Sequence, residues 1–550
     1  MNKKLAIMKN LNIISKSVLA FVLTILFASN AAIAQVPNDS IVADFNEFVR
    51  LLEETHPDPY TNYGGKPFFR KAAMEMRSAL IQDSVTNADE LAERCLEFLA
   101  PLRDQHTFVN IGYGKLMSAK KPFIIFNVMN DNIIYVEALT AGYEEFLGNT
   151  LLQIEGMPVQ EVINGLANHY AAENNIGRAL NLCGERGLMV DLSKVIPNLQ
   201  EDSVSYLLEQ PTGEQVTLTL PCLPLPQIMS AQLSRLPHTA IFPEENLAFN
   251  LVGDDKNTMY LRSTTIMARD CIEYMRDNGW DYQDYLKQMY WGKNMPSNLD
   301  DAIAQLPSFS EEFDKMLLDM KKNKSKNLII DLRGNGGGFT HITIPTLYQM
   351  WGDEFIKKST SFKTEGYTMI SPLLLKKFNT TLEQYDAEHN ANYVMGDYNI
   401  NEEGRTIDKV TDEIRNEFVS NCMSSVKDKL MAQNGKPVYT PEHVYVLTDP
   451  GTFSAAFHYA FFLSKMGATI VGVTSSQAPN TYMEQTPFEL PRTKLQGSIS
   501  NTLQLYLPVD DPRAKDFTPD LMPTYEDYKR YNFDDNTIPM YLMDIIEKKK

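Results

Sequence analysis

The residues with chemistry in their types and spacing gather in two stretches, Asn327 to Gly338 (NLIIDLRGNGGG) and Val444 to Ala456 (VYVLTDPGTFSAA). Each reads as a short apolar strand that ends in a turn of small residues and hands over to a helical segment. The first turn holds Gly334, Gly336, Gly337 and Gly338; the second delivers Ser454 onto the first turn of a helix. A serine so placed suits nucleophilic acyl transfer, with backbone amides available to an oxyanion. A helix N-terminus also favours negative charge at its first residues, which makes the Ala455 amide the natural first oxyanion donor. Taken singly, a serine at a helix start is more often a cap, and glycines more often serve a tight turn. The pairing of the two stretches is what points to chemistry.

These stretches need a frame to hold them. From Ile41 to Leu102 apolar residues recur at helical spacing, as in Phe45, Phe48, Val49 and Leu52 and again in Leu91, Cys95, Phe98 and Leu99, with Asn87 as cap of the later helix. The segment ends in Asp104-Gln105-His106-Thr107, where the pattern turns toward a strand. His56, ahead of Pro57, reads as a structural residue with no partner. Phe123 to Phe126, Ile133 to Val136, Val204 to Leu208 and Val216 to Leu220 are strand-like, the last two flanking the turn Pro211-Thr212-Gly213. Leu223 to Asn250 is proline-bearing and weakly patterned, and a polar insertion separates the two glycine and serine stretches.

The paired stretches resemble the signature of the tail-specific (C-terminal-processing) serine protease family. The Asp-x-His-Thr ending, the run GNTLLQIEGMPV from Gly148 to Val159, which looks like part of a PDZ domain, and Phe517-Thr518-Pro519-Asp520 fit as well. The resemblance implies an α/β multidomain protein with a crotonase-like ββα protease core, an N-terminal helical segment and a PDZ-like module. The expected division is a signal peptide at 1–34, a helical domain at 35–115, a PDZ-like domain at 120–222, a linker at 223–256 and a catalytic domain at 257–540 with an insertion at about 355–441. It further implies a second oxyanion donor from Gly336 or Gly337, where glycine lets backbone approach substrate closely.

Many family members take their base from a lysine in a stretch resembling G-x-T-x-G-K. Here the matching stretch, Gly472 to Ala478, has none; Lys465 and Lys494 stand elsewhere. The tricorn-core-like branch instead uses a histidine from the N-terminal segment and a late acidic residue. His106 matches that histidine, and an imidazole suits a base near neutral pH. His341 is its chief rival, with His458 and His443 also near the two stretches. For the orienting carboxylate the late loop offers Asp511, then Asp510, with Asp104 a local alternative. Asp331 and Arg333 read as a structural pair behind the glycine turn.

Composition narrows the partners. The formal charge of −19 disfavours nucleic acid and anionic lipid. Lys3, Lys4, Lys9 and Lys16, the apolar run Val18 to Ala28 and the Ala32-Ile33-Ala34 site read as a secretory leader, too short to span a membrane. No other stretch is long and apolar enough to span. The expected location is therefore periplasmic or extracellular. The five cysteines are scattered, without C-x-x-C spacing, and the histidines are dispersed. Neither a metal nor a cofactor is expected; the glycine run lacks the residues of a nucleotide loop. The expectation is a serine endopeptidase acting on peptide or protein substrates through an acyl-enzyme. The alternatives are an inactive peptide or ligand binder on the same scaffold and an esterase.

Overall fold

A computed structural model describes residues 35–111, 119–253, 255–402 and 406–548; the expected leader, 1–34, lies outside them. The chain forms two compact units, each built from three separate stretches. The first comprises the chain up to Leu236 with Thr364–Glu402 and Ala478–Lys515, and the second comprises Pro237–Lys363, Glu403–Gln477 and Asp516–Lys550.

In the first unit, helices α1 (Asn38–Thr55), α2 (Lys66–Gln82) and α3 (Ala88–Leu99) pack their apolar stripes together. Ile41, Phe45, Phe48 and Leu52 share a core with Phe69, Leu91, Cys95 and Phe98, as the helical spacing requires. Asn87 caps α3 by accepting the Glu90 N–H at 2.7 Å, the role its position predicts. The same core takes Phe488, Leu490, Leu495 and Ile499 from a long hairpin, β17 (Asn480–Glu489) and β18 (Gln496–Leu505). That hairpin pairs with β1 (Phe108–Val109) and β13 (Glu365–Met369), and β13 in turn with β14 (Tyr398–Glu402).

A second sheet of the first unit runs β2 (Lys120–Pro122), β8 (Gln215–Pro224), β7 (Ser203–Glu209), β5 (Thr150–Ile154), β4 (Ile134–Thr140) and β3 (Ile124–Val128). β7 and β8 are the hairpin anticipated around Pro211 to Gly213. Two short strands join it, β6 (Met157–Pro158) on β5 and β9 (Leu233–Arg235) on β4. Helix α4 (Val159–Leu166) follows β6 and buries Val162, Ile163 and Leu166.

The second unit centres on a five-stranded sheet in the order β10 (Phe249–Val252), β11 (Thr258–Arg262), β12 (Asn327–Asp331), β15 (His443–Thr448) and β16 (Thr469–Gly472). All pairings beyond β10–β11 are parallel. A parallel sheet is covered on both faces, so its strands read as continuous apolar runs; every residue of β12 is buried. Helices α5 (Phe309–Asn323) and α6 (Ala455–Lys465) supply Phe313, Met316, Leu317, Tyr459 and Leu463 to that core.

These units cut across the division expected from the sequence. The stretch expected as a linker, 223–256, contributes β9 to one sheet and β10 to another. The 355–441 insertion is shared, its β13–β14 hairpin in the first unit and its helices Asp412–Asn421 and Ser424–Gln433 in the second. Strand pairing between distant segments, which local periodicity does not report, decides both. Among the described residues no helix is long and apolar enough to cross a membrane, and all five cysteines are free thiols.

Candidate active site

In the second unit the two turns after β12 and β15 are laced together. The strands lie side by side with Asp331 opposite Leu447, and the Leu332 N–H continues the ladder to the Leu447 carbonyl. Thr452 Oγ1 donates to the Leu332 carbonyl at 3.0 Å, the Gly334 N–H to Asp449 Oδ1 at 2.8 Å, and the Phe453 N–H to the Asn335 carbonyl at 2.9 Å. Beneath them Asp331 is fully buried between Arg262 and Arg333 and accepts from Tyr260 Oη at 2.6 Å. Burial alone would push its carboxyl up; the two guanidinium charges outweigh that and hold it well below the carboxylate range.

Ser454 ends the second turn in a conformation that L-residues rarely adopt, φ 52° and ψ −126°, immediately before α6. Such backbone persists only where the surroundings enforce it, and it clusters at functional sites. The enforcing contacts are visible. Gln477, fully buried, accepts the Ser454 N–H, and Ser475 Oγ donates to the Thr452 carbonyl at 2.6 Å. Gly337 abuts the serine: a Cβ there would fall 2.7 Å from Ser454 Cβ and 2.8 Å from the Ala455 nitrogen, and its φ is +104°. Glycine is therefore required at 337 both for space and for conformation.

The two expected oxyanion donors from the glycine turn are not equivalent. The Gly337 N–H is already donated to Asn335 Oδ1 at 2.9 Å, and Asn335 is fully buried. The exposed Gly336 N–H and the Ala455 N–H make no hydrogen bond among the described residues. For Ala455 this is the ordinary state of a first-turn amide.

His106 belongs to the first unit, where the chain leaves α3 for β1. Thr107 Oγ1 accepts the Ser500 N–H at 2.9 Å, fixing the segment on β18. The ring is buried at 4% exposure, beside two buried carboxylates. Asp104 Oδ1 accepts the His106 backbone N–H at 2.8 Å, and its Oδ2 lies 3.3 Å from His56 Nε2. Glu173 Oε1 lies 4.0 Å from His106 Nδ1, and its Oε2 accepts the Ala478 N–H at 2.9 Å. One ligand atom from each of Asp104, His106 and Glu173 lies within 4.8 Å of the others, a grouping a metal ion could also use.

The electrostatics separate the two acids. Burial pushes Asp104 up, but His56 and the nearby His106 outweigh it and hold the carboxyl down to about 2. Burial pushes Glu173 up to about 8, with the Ala478 N–H and the Thr481 hydroxyl opposing. Asp104 is thus an anion at neutral pH, and Glu173 is largely a neutral acid. Burial lowers the His106 imidazole, with the Asp104 and Glu484 charges pulling the other way.

Residues 301–521 match the family model of peptidase family S41. The chain carries an S41 peptidase domain. With it the protein is a serine-type peptidase whose substrates are peptides or proteins. No curated protein matches the chain. Among solved structures it is similar to mature CPAF, at 16% identity over 90% of this chain and 96% of that one, with a TM-score of 0.54. Mature CPAF complexed with lactacystin gives 16% identity, 90% and 97% coverage and a TM-score of 0.51. At such identity the likeness is one of fold.

Within the matched residues Ser454, Ala455, Gly336 and Gly337 lie in or at the end of the paired turns, and Gln477, not a lysine, is the side chain that meets the Ser454 N–H. A neutral amide cannot serve as base. Asp511 is engaged in its own turn: it accepts the Arg513 N–H at 2.9 Å and pairs with that guanidinium at 2.8 Å. The carboxylates beside His106 are Asp104 and Glu173. Of the rival histidines, His458 meets Thr340 Oγ1 through Nδ1 at 3.0 Å, and His341 stacks on Phe339. Sequence reasoning missed Glu173, which lies between α4 and a short helix at Asn175–Leu180 and carries no local signal. It also left His56 without a partner; the structure supplies Asp104, distant in sequence.

Proposed function

We propose that the protein is a secreted or periplasmic serine endopeptidase in which Ser454 is the nucleophile and His106 its general base. His106 takes the proton from Ser454 Oγ as that oxygen attacks a peptide carbonyl. The Ala455 and Gly336 amides receive the oxyanion, Gly337 keeping the approach open. The imidazolium then returns its proton to the leaving amine, and water hydrolyses the acyl-enzyme by the same route. Asp104, anionic and hydrogen-bonded to the His106 backbone, stabilises the imidazolium; Glu173 faces Nδ1 and takes the orienting role first given to Asp511.

The observation that carries this reading is the enforced backbone of Ser454 at a helix start, with an open amide beside it and a glycine turn against it. The parallel run β11, β12, β15 and β16, with α6 following β15, supports a crotonase-like core, and the β5–β6–α4 succession supports a PDZ-like module that takes an extended or C-terminal peptide as an added strand. The basic, then apolar, leader supports export. A fluorophosphonate probe is expected to label wild-type protein at Ser454 and to leave Ser454→Ala unlabelled. Failure to label correctly folded wild type, together with casein turnover no higher than that of Ser454→Ala, would return the protein to the binder class.

A further inference from the structure

The first unit contains a cavity of about 340 Å³ that opens beside His56, the partner of Asp104. Its size falls at the small end of ligand sites, suited to one side chain or one small amine. One wall is a sheet face. Tyr367 and Met369 project from β13, Leu503 stands opposite Tyr367 on β18, and Tyr398 stands opposite Met369 on β14. The facing wall is the loop that follows α1, with Pro57, Asp58, Pro59 and Tyr60. Tyr398 Oη donates to the Pro57 carbonyl at 2.6 Å, tying loop to sheet. Two prolines and this tie make the cavity preformed, so little ordering is required on binding.

The lining combines aromatic faces with anions. Tyr60, Tyr367 and Tyr398 contribute rings, and Glu53 and Asp58 contribute carboxylates. Asp58 Oδ1 accepts the Tyr60 and Thr61 N–H groups, each at 3.1 Å, which orients the carboxylate without neutralising it. Glu53 accepts from Tyr60 Oη at 3.1 Å and is paired with Arg70 at the surface. Tyr367 Oη donates to Glu365 at 2.6 Å, which orients its ring. The phenols register this field: Tyr60 is pushed up to about 12 by burial and then by the Glu53 charge, and Tyr398 is raised by burial and then by Asp58. Lys66 already places its ammonium 5.3 Å from the Tyr60 ring centroid. Aromatic rings and carboxylates in a small concave site favour a cation over a neutral or acidic group.

The neighbouring backbone indicates how such a cation would arrive. β14 is the last strand of its sheet among the described residues, paired only with β13. An open edge of this kind accepts an extended chain as a further strand. Ile400 on β14 pairs with Tyr367 and is 51% exposed, so the face of Tyr398 and Ile400 stays open beside the edge. A residue paired opposite Tyr398 in an added strand shares that face.

We propose that this cavity is a recognition site for a basic side chain, a lysine ammonium or arginine guanidinium presented by an extended peptide, with Tyr367 and Tyr398 as ring walls and Asp58 as counter-charge. Of the described lining residues His56 alone pairs with a proposed catalytic group, Asp104; the test is binding and does not depend on turnover.

The probes are N-acetyl-arginine amide and its uncharged analogue of the same shape, N-acetyl-citrulline amide, titrated calorimetrically into the full chain. Saturable binding of the arginine probe is expected, at least ten-fold tighter than that of the citrulline probe and weakening with salt. Asp58→Asn keeps an acceptor for the two loop amides and removes the charge; Tyr398→Ala removes a wall. Each is expected to weaken arginine binding ten-fold or more, with melting temperature monitored, whereas Tyr367→Phe keeps the ring and should bind as wild type. Absence of saturable arginine binding to wild type, equal binding of citrulline, or arginine binding unchanged in folded Asp58→Asn would each overturn the proposal. Preference for N-acetyl-phenylalanine amide would overturn it in favour of an apolar subsite.

Discussion

The serine-bearing turn and the histidine-bearing segment are held by different physics. Around Ser454 the contacts are mostly backbone amides, carbonyls, hydroxyls and the Gln477 amide; the one carboxylate in the laced turns, Asp449, accepts the Gly334 N–H, and Asp331 with Arg262 and Arg333 lies below the turn. Around His106 the close neighbours are ionisable: Asp104, Glu173 and, through Asp104, His56. One region is organised by shape and the other by charge. Damage to the first should therefore be nearly independent of pH, and damage to the second should be read in pH profiles.

The largest effect expected on the shape side is at the nucleophile itself. Ser454→Ala should lower kcat by about 10⁴-fold or more at every pH while leaving the fold intact. Ser454→Gly should be as inactive yet melt no lower, because glycine relieves the left-handed backbone, worth about 1 kcal/mol. A melting temperature well below wild type for the glycine variant would break the claim that the turn is strained. Asp331→Asn should cost about 3–5 kcal/mol by leaving buried guanidinium charge uncompensated, measured by denaturant unfolding.

Gly337→Ala follows. Its methyl would be forced into Ser454 Cβ and the Ala455 nitrogen, and we expect about 1–3 kcal/mol of destabilisation and roughly 10²-fold slower turnover, on the scale of a misplaced reacting group. Both losses should be flat with pH.

The charge side gives smaller effects with a pH signature. The acid limb of kcat/KM should lie below the ordinary imidazole value, because burial lowers His106. Asp104→Asn removes a charge that raises it, so the limb should move to still lower pH while kcat falls. The same variant loses the stability that the Asp104 anion contributes above the unfolded carboxyl value and that wild type surrenders only as pH falls toward about 2. Glu173 has the opposite sign. Its carboxyl is raised to about 8, so between the unfolded value near 4 and about 8 the folded protein retains a proton the unfolded chain has lost, and stability declines as pH rises. Glu173→Gln should flatten that decline, a change of up to about 1.4 kcal/mol per pH unit. A pH-independent stability difference would erase the contrast between the two regions.

What the sequence discloses follows the same line. β12, β15 and the start of α6 are readable because strand, turn and helix succeed one another locally. The Asn87 cap and the Asp331–Arg333 pair are short-range as well. The β17–β18 hairpin is mostly hidden because its buried positions include Thr486, Ser500, Asn501 and Gln504, polar groups on both faces that mask the alternation of a strand. Glu173, Asp104 and His56 are brought to His106 by tertiary folding alone; none has a spacing that announces it. Asp511 stood in the expected late loop, but there Arg513 two residues on is a nearer claimant for its charge.

The division of each unit into three separated stretches has a consequence for biogenesis. The sheet that seats the His106 segment needs β18, so that unit has its full set of strands only once residue 505 has left the ribosome, long after its helices have emerged. The parallel sheet likewise waits for β16. Nascent chains stalled at residue 363 should accordingly be protease-sensitive in the N-terminal helices and in the incomplete parallel sheet, while the β2–β9 sheet, whose strands all lie before residue 236, should already resist; such late-closing contacts are of the kind that makes folding slow and dependent on protection from aggregation.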